Sequence, residues 1–321
     1  MTTWSAPHTD RPVLSVPLDR LFVLLDDFLS RRSEHTRAAY DSDLKRFAAF
    51  AGVPSTSEAL QALLSAGPGD ANGMAIRFRN AMAAAGLSAV TVNRRLSTLR
   101  SVIALARTTG IISWELSVPG ERAQPYRDTR GPGKPVISQI LSALRITDTP
   151  KAKRDYAIVR LMLDLGLRRG EVARLSMEDV RLSDGTILVL GKGRTAKETL
   201  TLPRQTSQAL QAWIETRGRT AGPLFLSFDR AKQAPGKPIS GTSLYRLVRH
   251  LGRSAGTDTR PHALRHAAVT QALNVTGGDV RKVAAYSRHR DLCVVLRYDD
   301  ARRDFAGEVA QQVAASYGSD G

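Results

Sequence analysis

Apolar residues recur every three or four positions through most of this chain, and one short stretch alternates instead. That contrast restricts the chain to a mainly α fold with one small sheet. The helical rhythm is cleanest in LSAVTVNRRLSTLRSVIALARTTG, where Ser88 is placed to cap, Val92, Leu96, Leu99, Ile103 and Ala106 form a stripe, and Gly110 ends the run. Leu21, Leu24, Leu25, Phe28 and Leu29 predict an earlier helix. Tyr40, Leu44, Phe47 and Phe50 predict another beyond the polar break RRSEH. Further helices are expected from Ser57 to Ser65 and from Ala71 to Ala85, with Gly67, Gly69 and Gly86 as punctuation. The exception, DVRLSDGTILVLGKGRTAKETLTLP, reads as short strands joined by an aspartate-glycine turn and a glycine-lysine-glycine turn. Helices are expected from about Ser138 and Lys153 before it, and again after it to the end.

Breaks in this pattern suggest two domains. Residues 1–17 are polar and proline-bearing and are expected to form a flexible tail; 18–115 form a helical bundle; 134–321 form a larger mixed α/β domain with a small antiparallel sheet and a closing helix. Between them, 116–133 combine proline, glycine and charge without apolar period and read as a linker.

With 321 residues and 42% hydrophobic content, the chain is able to bury two cores. Lysine and arginine outnumber aspartate and glutamate by 47 to 30, a net charge of +17, which points to a polyanionic partner and first of all to nucleic acid. No long apolar run, secretory signal or lipidation cysteine is visible, so no membrane partner is expected and a cytoplasmic, nucleoid-associated location is. The single cysteine, Cys293 in LCVVL, excludes an intrachain disulfide and a cysteine-based zinc site, and is expected to be a packed small hydrophobe.

Six residues in order then suggest a reaction: Arg168, Lys192, His262, Arg265, His289 and Tyr298. Attack on a DNA phosphodiester adds negative charge to an anion, and two guanidinium forks, Arg168 and Arg265, suit that charge. His262 and Arg265 lie one turn apart in a helix opened by Pro261, so both can face one phosphate; an ordinary pKa of about 6.5 lets His262 serve as general base. Lys192, at a glycine-flanked turn, is placed to protonate the departing 5′-oxygen, with Lys197 as its rival. His289 would donate to a nonbridging oxygen and Tyr298 would be the nucleophile, leaving a phosphotyrosine that a strand end reverses without nucleotide cofactor or metal. Glu171 and His266 are expected to support these groups. Asn93, Arg94, Ser97, Arg100 and Arg107 make the polar side of the strongest helix a candidate DNA surface.

These segments resemble the tyrosine recombinase, or phage integrase, family over most of the chain. LGLRRGEVARL is similar to its first arginine box, LGKGR to its lysine hairpin, PHALRHAAVT to its histidine and arginine box, and YSRHRDLCVVLRYDD to its final box. HTRAAYDSDLKRFAAF and the Ser88 helix resemble its core-binding domain. The resemblance implies a double-stranded DNA partner clamped by the two domains in a C shape. It also implies a homotetramer on two DNA sites, exchange through a four-way junction, and a C-terminal helix, here DFAGEVAQQVAASY, docked on a neighbouring protomer. Accessory proteins are not specified. Where the family has leucine-glycine-histidine this chain reads Tyr286, Ser287, Arg288 and His289, so local packing and phosphate contacts are expected to differ there. The short stretch before Leu18 suggests a compact Xer-like member without an arm-binding domain. The competing enzyme reading is a type IB topoisomerase, and the competing non-enzyme reading a DNA-binding regulator that has kept the fold.

Overall fold

A computed structural model describes residues 17–122, 131–228, 237–300 and 305–317, except 31 and 33. The tail expected at 1–17 lies outside them but for Pro17. The chain divides into two compact units, 1–125 and 126–321.

The first unit holds α1 (Leu18–Ser30), α2 (Glu34–Ala51), α3 (Thr56–Ser65), α4 (Gly67–Ala84) and α5 (Ala89–Thr108). The apolar stripe of α5 is buried against α1, α2 and α4, in a core shared with Leu21, Phe47, Leu60, Leu63 and Phe78. Ser88 caps α5, its hydroxyl accepting from the Thr91 amide at 3.4 Å. Gly110 follows the helix with φ 73°, a conformation that favours a residue without a Cβ. Helix α4 begins earlier than expected, at Gly67. Pro68 falls in its first turn, where no backbone donor is needed, so Gly67 and Gly69 lie inside the helix instead of before it.

The segment expected to begin the linker is packed instead. Leu116 and Val118 are buried in the first core. Asn93 grips the following backbone, donating to the Glu121 carbonyl at 2.9 Å and accepting from the Glu121 amide at 2.8 Å. Two apolar residues spaced by two pack from an extended chain, a signal that a search for helical period passes over.

The second unit contains α6 (Lys134–Ile146), α7 (Pro150–Asp164), α8 (Arg169–Ala173), a three-stranded antiparallel sheet in the order β1 (Val180–Arg181), β2 (Thr186–Leu190), β3 (Lys197–Thr201), then α9 (Arg204–Arg217), α10 (Gly241–Ser254), α11 (Pro261–Val275), α12 (Val280–Ser287), α13 (Leu292–Asp300) and α14 (Phe305–Ser316). Helices α6 and α7 start a few residues before their expected positions, each with proline in its first turn. In the sheet, Ile187 pairs with Leu200 and Val189 with Glu198, and Ile187 and Val189 turn inward onto α7 and α9 core residues such as Ile158, Leu161 and Trp213. A second cluster of Val269, Leu273, Val283, Val295 and Tyr298 joins α11, α12 and α13. That arrangement corrects the expectation for Cys293, which is exposed. With Val295 and Tyr298 facing inward, the roughly 100° step per residue turns Cys293 outward. Among the described residues no helix is long and apolar enough to cross a membrane.

Candidate active site

Helix α7 ends at Asp164, and the chain turns through Gly166 (φ 57°) before restarting as α8. Arg168 therefore precedes a new helix and does not continue the old one. Glu171 reaches back to it as an N-terminal cap: its Oε2 accepts from the Arg168 amide at 2.8 Å and its Oε1 from Arg168 Nη1 at 2.9 Å. Arg168 remains 33% exposed while the Glu171 side chain is 1% exposed. The buried carboxylate also receives Arg288 Nη2 at 2.6 Å. Burial pushes the Glu171 carboxyl up, but the Arg168 amide and the Arg288 and Arg168 side chains outweigh it and hold it below its ordinary range.

Arg265 comes from α11, which Pro261 opens, and is buried at 1% exposure. It donates through Nη1 to the Gly166 carbonyl and through Nη2 to the Ser287 carbonyl, so it bridges the α7–α8 turn and the end of α12. Its Nη2 also lies 3.2 Å from His289 Nε2. A guanidinium only donates, so Nε2 accepts and the ring proton sits on Nδ1. Nδ1 in turn lies 2.7 Å from Ser287 Oγ, whose own hydrogen goes to the Val283 carbonyl at 2.7 Å. His289 is thereby held neutral; burial first, then Arg265 and Arg168, push its pKa down to about 4. Burial also lowers Arg265, with Arg168 adding repulsion, to about 10, which leaves it charged at neutral pH.

Three rings complete the cluster. His266 packs edge-on against His262 at 4.1 Å and against Tyr298 at 4.8 Å, and the His289 ring lies 6.1 Å from Tyr298. Desolvation, then Arg265 and Arg168, lowers His262, so its ring is neutral at pH 7. Burial raises the Tyr298 phenol above its ordinary value despite the pull of Arg265 and Arg168. His266 thus lies in contact with both rings, and base-assisted attack would need the His262 imidazole to reach the Tyr298 phenol directly or through a bridging group.

Lys192 stands apart. It is exposed at the tip of the β2–β3 turn and makes no hydrogen bond or ion pair with this cluster among the described residues. Its rival Lys197 is engaged by the buried carboxylate of Asp179, and Arg194 pairs with Glu198 at 3.2 Å. In the first unit the expected DNA face is partly occupied by its own chain. Asn93 holds Glu121, Arg100 donates to the Val118 carbonyl, Arg107 pairs with Glu115 at 3.0 Å, and Arg94 meets buried Asp43 while staying half exposed. Ser97 is exposed.

Two neighbours of the site escaped the reading of function from sequence, Ser287 and Arg288, although both mark a departure from the resembling motif. Arg288 carries φ 56°, a left-handed conformation that costs a residue with a Cβ roughly 1–2 kcal/mol. No metal-holding group of histidine, cysteine or carboxylate side chains occurs among the described residues.

A helical unit is followed by a second unit that gathers two arginines, three histidines and a tyrosine, the charge and nucleophile pattern of a phosphoryl-transfer site, and comparison narrows the class. Residues 134–304 match the phage integrase family and 25–110 match the phage integrase N-terminal SAM-like domain. The chain is 36% identical over 307 residues to a tyrosine recombinase of Synechococcus elongatus, covering 94% of each protein. It is 35% identical over 298 residues to a tyrosine recombinase of Synechocystis, covering 91% of this chain and 94% of that protein. Its fold is similar to that of a lambda integrase dimer bound to a core site, with a TM-score of 0.65 at 15% identity, covering 89% of this chain and 95% of that one. The chain belongs to the phage integrase family and is an enzyme of the tyrosine recombinase type. The N-terminal match favours a recombinase over the topoisomerase reading.

Proposed function

We propose that the protein recombines double-stranded DNA at specific sites, cutting and rejoining strands through a 3′-phosphotyrosyl intermediate on Tyr298. A homotetramer bound to two sites would exchange one strand pair, form a four-way junction and resolve it through the other pair. One observation carries the chemistry: Arg265 lies against His289, Tyr298 packs against His266, and the charges of both Arg168 and Arg265 act on His289 and Tyr298.

In this reading Arg168 and Arg265 bind the nonbridging oxygens of the scissile phosphate. His262 takes the phenol proton as the Tyr298 oxygen forms its bond to phosphorus. The bond to the 5′-oxygen breaks, and Lys192 gives that oxygen its proton; the new 5′-hydroxyl later reverses the step on a partner strand. Lys197 is disfavoured as the acid by its bond to Asp179. His266 supports the His262 and Tyr298 rings, and Glu171 orients Arg168. His289 reaches a phosphate oxygen as a donor once the incoming anion offsets Arg265 and its ring takes a second proton. Arg94, Ser97 and Arg107 contact DNA, while Asn93 and Arg100 hold the α5 face in shape.

Assembly is supported by α14. Val309, Val313 and Tyr317 form an exposed apolar stripe at helical spacing. An open groove of about 710 Å³, with Ile137, Leu141, Leu163 and Ala268 among its lining, offers a seat for the same helix of a neighbouring copy.

The test uses a nicked duplex bearing the sequence that the wild-type protein selects from a random library. Wild type traps a covalent adduct on it, and Tyr298→Phe binds equally without forming one. An adduct that persists in the variant moves the nucleophile elsewhere. Binding without any wild-type adduct leaves a noncatalytic DNA-binding protein.

A further inference from the structure

Arg288 is the only non-glycine residue with positive φ among the described residues. It closes α12 immediately before His289, at a position where a residue without a Cβ is the unstrained choice. Its side chain does not escape to solvent. It is 4% exposed and runs back to the first arginine box, where Nη2 donates to Glu171 Oε2 at 2.6 Å and Nη1 to the Leu165 carbonyl at 3.3 Å.

The consequences fall on the neighbouring groups. Glu171 Oε1 faces Arg168 Nη1, and Oε2 is shared by the Arg168 amide and Arg288. The carboxylate is thus held from two sides and turns one oxygen toward the exposed guanidinium of Arg168. Leu165 begins the turn whose Gly166 carbonyl receives Arg265, and Ser287, beside Arg288, supplies the other carbonyl that Arg265 uses. One side chain therefore ties the segment that ends in His289 to the segment that ends in Arg168. A strained backbone retained beside buried, mutually dependent groups is where a positioning function is expected.

We propose that Arg288 is a positioning residue for strand cleavage: through its buried ion pair with Glu171 it fixes Arg168 and keeps the α7–α8 turn in register with the His289 turn. The inference rests on the recombinase reading above and adds to it a residue that never touches DNA.

The experiment uses the full-length protein and the nicked, library-selected duplex. Arg288→Gly suits the left-handed turn and should fold, with helical content and a cooperative melt retained. It should bind the duplex within about threefold of wild type, as expected of a residue remote from DNA. Adduct formation in a single turnover should slow by about 100-fold, the effect of displacing a group at a reacting centre by an ångström. Arg288→Lys, which keeps the charge and loses the fork, should recover part of that rate. Combining Arg288→Gly with Glu171→Gln should slow cleavage no further than Glu171→Gln alone, because both remove the same contact.

Cleavage by Arg288→Gly at the wild-type rate, equal losses in binding and cleavage, or multiplicative losses in the double variant would each overturn this proposal and leave the recombinase reading intact. Absence of an adduct with wild-type protein overturns that reading, and this inference with it.

Discussion

Replacing Glu171 by glutamine keeps the side chain's shape and removes the negative charge facing Arg168 and Arg288. The Arg168 pair is partly exposed and therefore screened, so it contributes little to stability. The Arg288 pair is buried on both sides, and breaking such a pair from one side typically costs about 3–5 kcal/mol because the remaining charge is left uncompensated. Glutamine retains one acceptor oxygen, which places the expected loss at the lower end, about 3 kcal/mol. For a unit spanning 126–321, each kcal/mol moves the midpoint by about 2–4 °C, so the transition of the second unit should fall by about 6–12 °C.

The sign with pH follows from the depressed carboxyl. A lowered folded-state pKa adds stability that is present above the unfolded carboxylate value of about 4.3 and is lost as pH falls through the lower folded value. Scanning calorimetry of wild type and Glu171→Gln should therefore show a gap at neutral pH that narrows below that unfolded value. A midpoint unchanged within about 1 °C at neutral pH, or a gap that widens on acidification, would falsify the ion-pair argument.

Lys192→Ala should lose cleavage of an ordinary duplex by about 100-fold, in line with loss of a general acid. It should recover when sulfur replaces the departing 5′-oxygen, since a thiolate leaves without a proton; equal loss on both substrates assigns Lys192 to binding. In the DNA-free protein, an NMR titration of His289 should have its midpoint near about 4, rising when the site duplex binds; a free-protein midpoint at the ordinary histidine value contradicts the Arg265–His289–Ser287 bonding pattern. Val309→Asp with Val313→Asp should leave binding to a single site unchanged and abolish higher-order complexes in analytical ultracentrifugation with DNA; persistence of those complexes removes α14 from the interface.

Helical period, turn residues and order of charged boxes were legible locally. The α5 stripe, its Ser88 cap, the paired strands around Gly185 and the proline-opened α11 follow from contacts within a few residues, which is why the chain alone specified them. The boxes around Arg168, Lys192, His262, Arg265, His289 and Tyr298 likewise carry the resemblance to the phage integrase family that the comparisons bear out. What packing alone decided lies between residues distant in sequence. The polar side of α5 promised a free cationic face, yet Asp43, Val118, Glu115 and Glu121 occupy much of it. Cys293 was turned outward by the inward choice of Val295 and Tyr298. The neutral state of His289 depends first on burial and then on a guanidinium 24 residues away, while a hydroxyl two residues away fixes which ring nitrogen keeps its proton. Arg288 looked like a local departure until burial brought it to Glu171, 117 positions earlier. Local order sets backbone geometry, but the electrostatics of a site are set by which charges share a volume without water, and only the folded chain determines that.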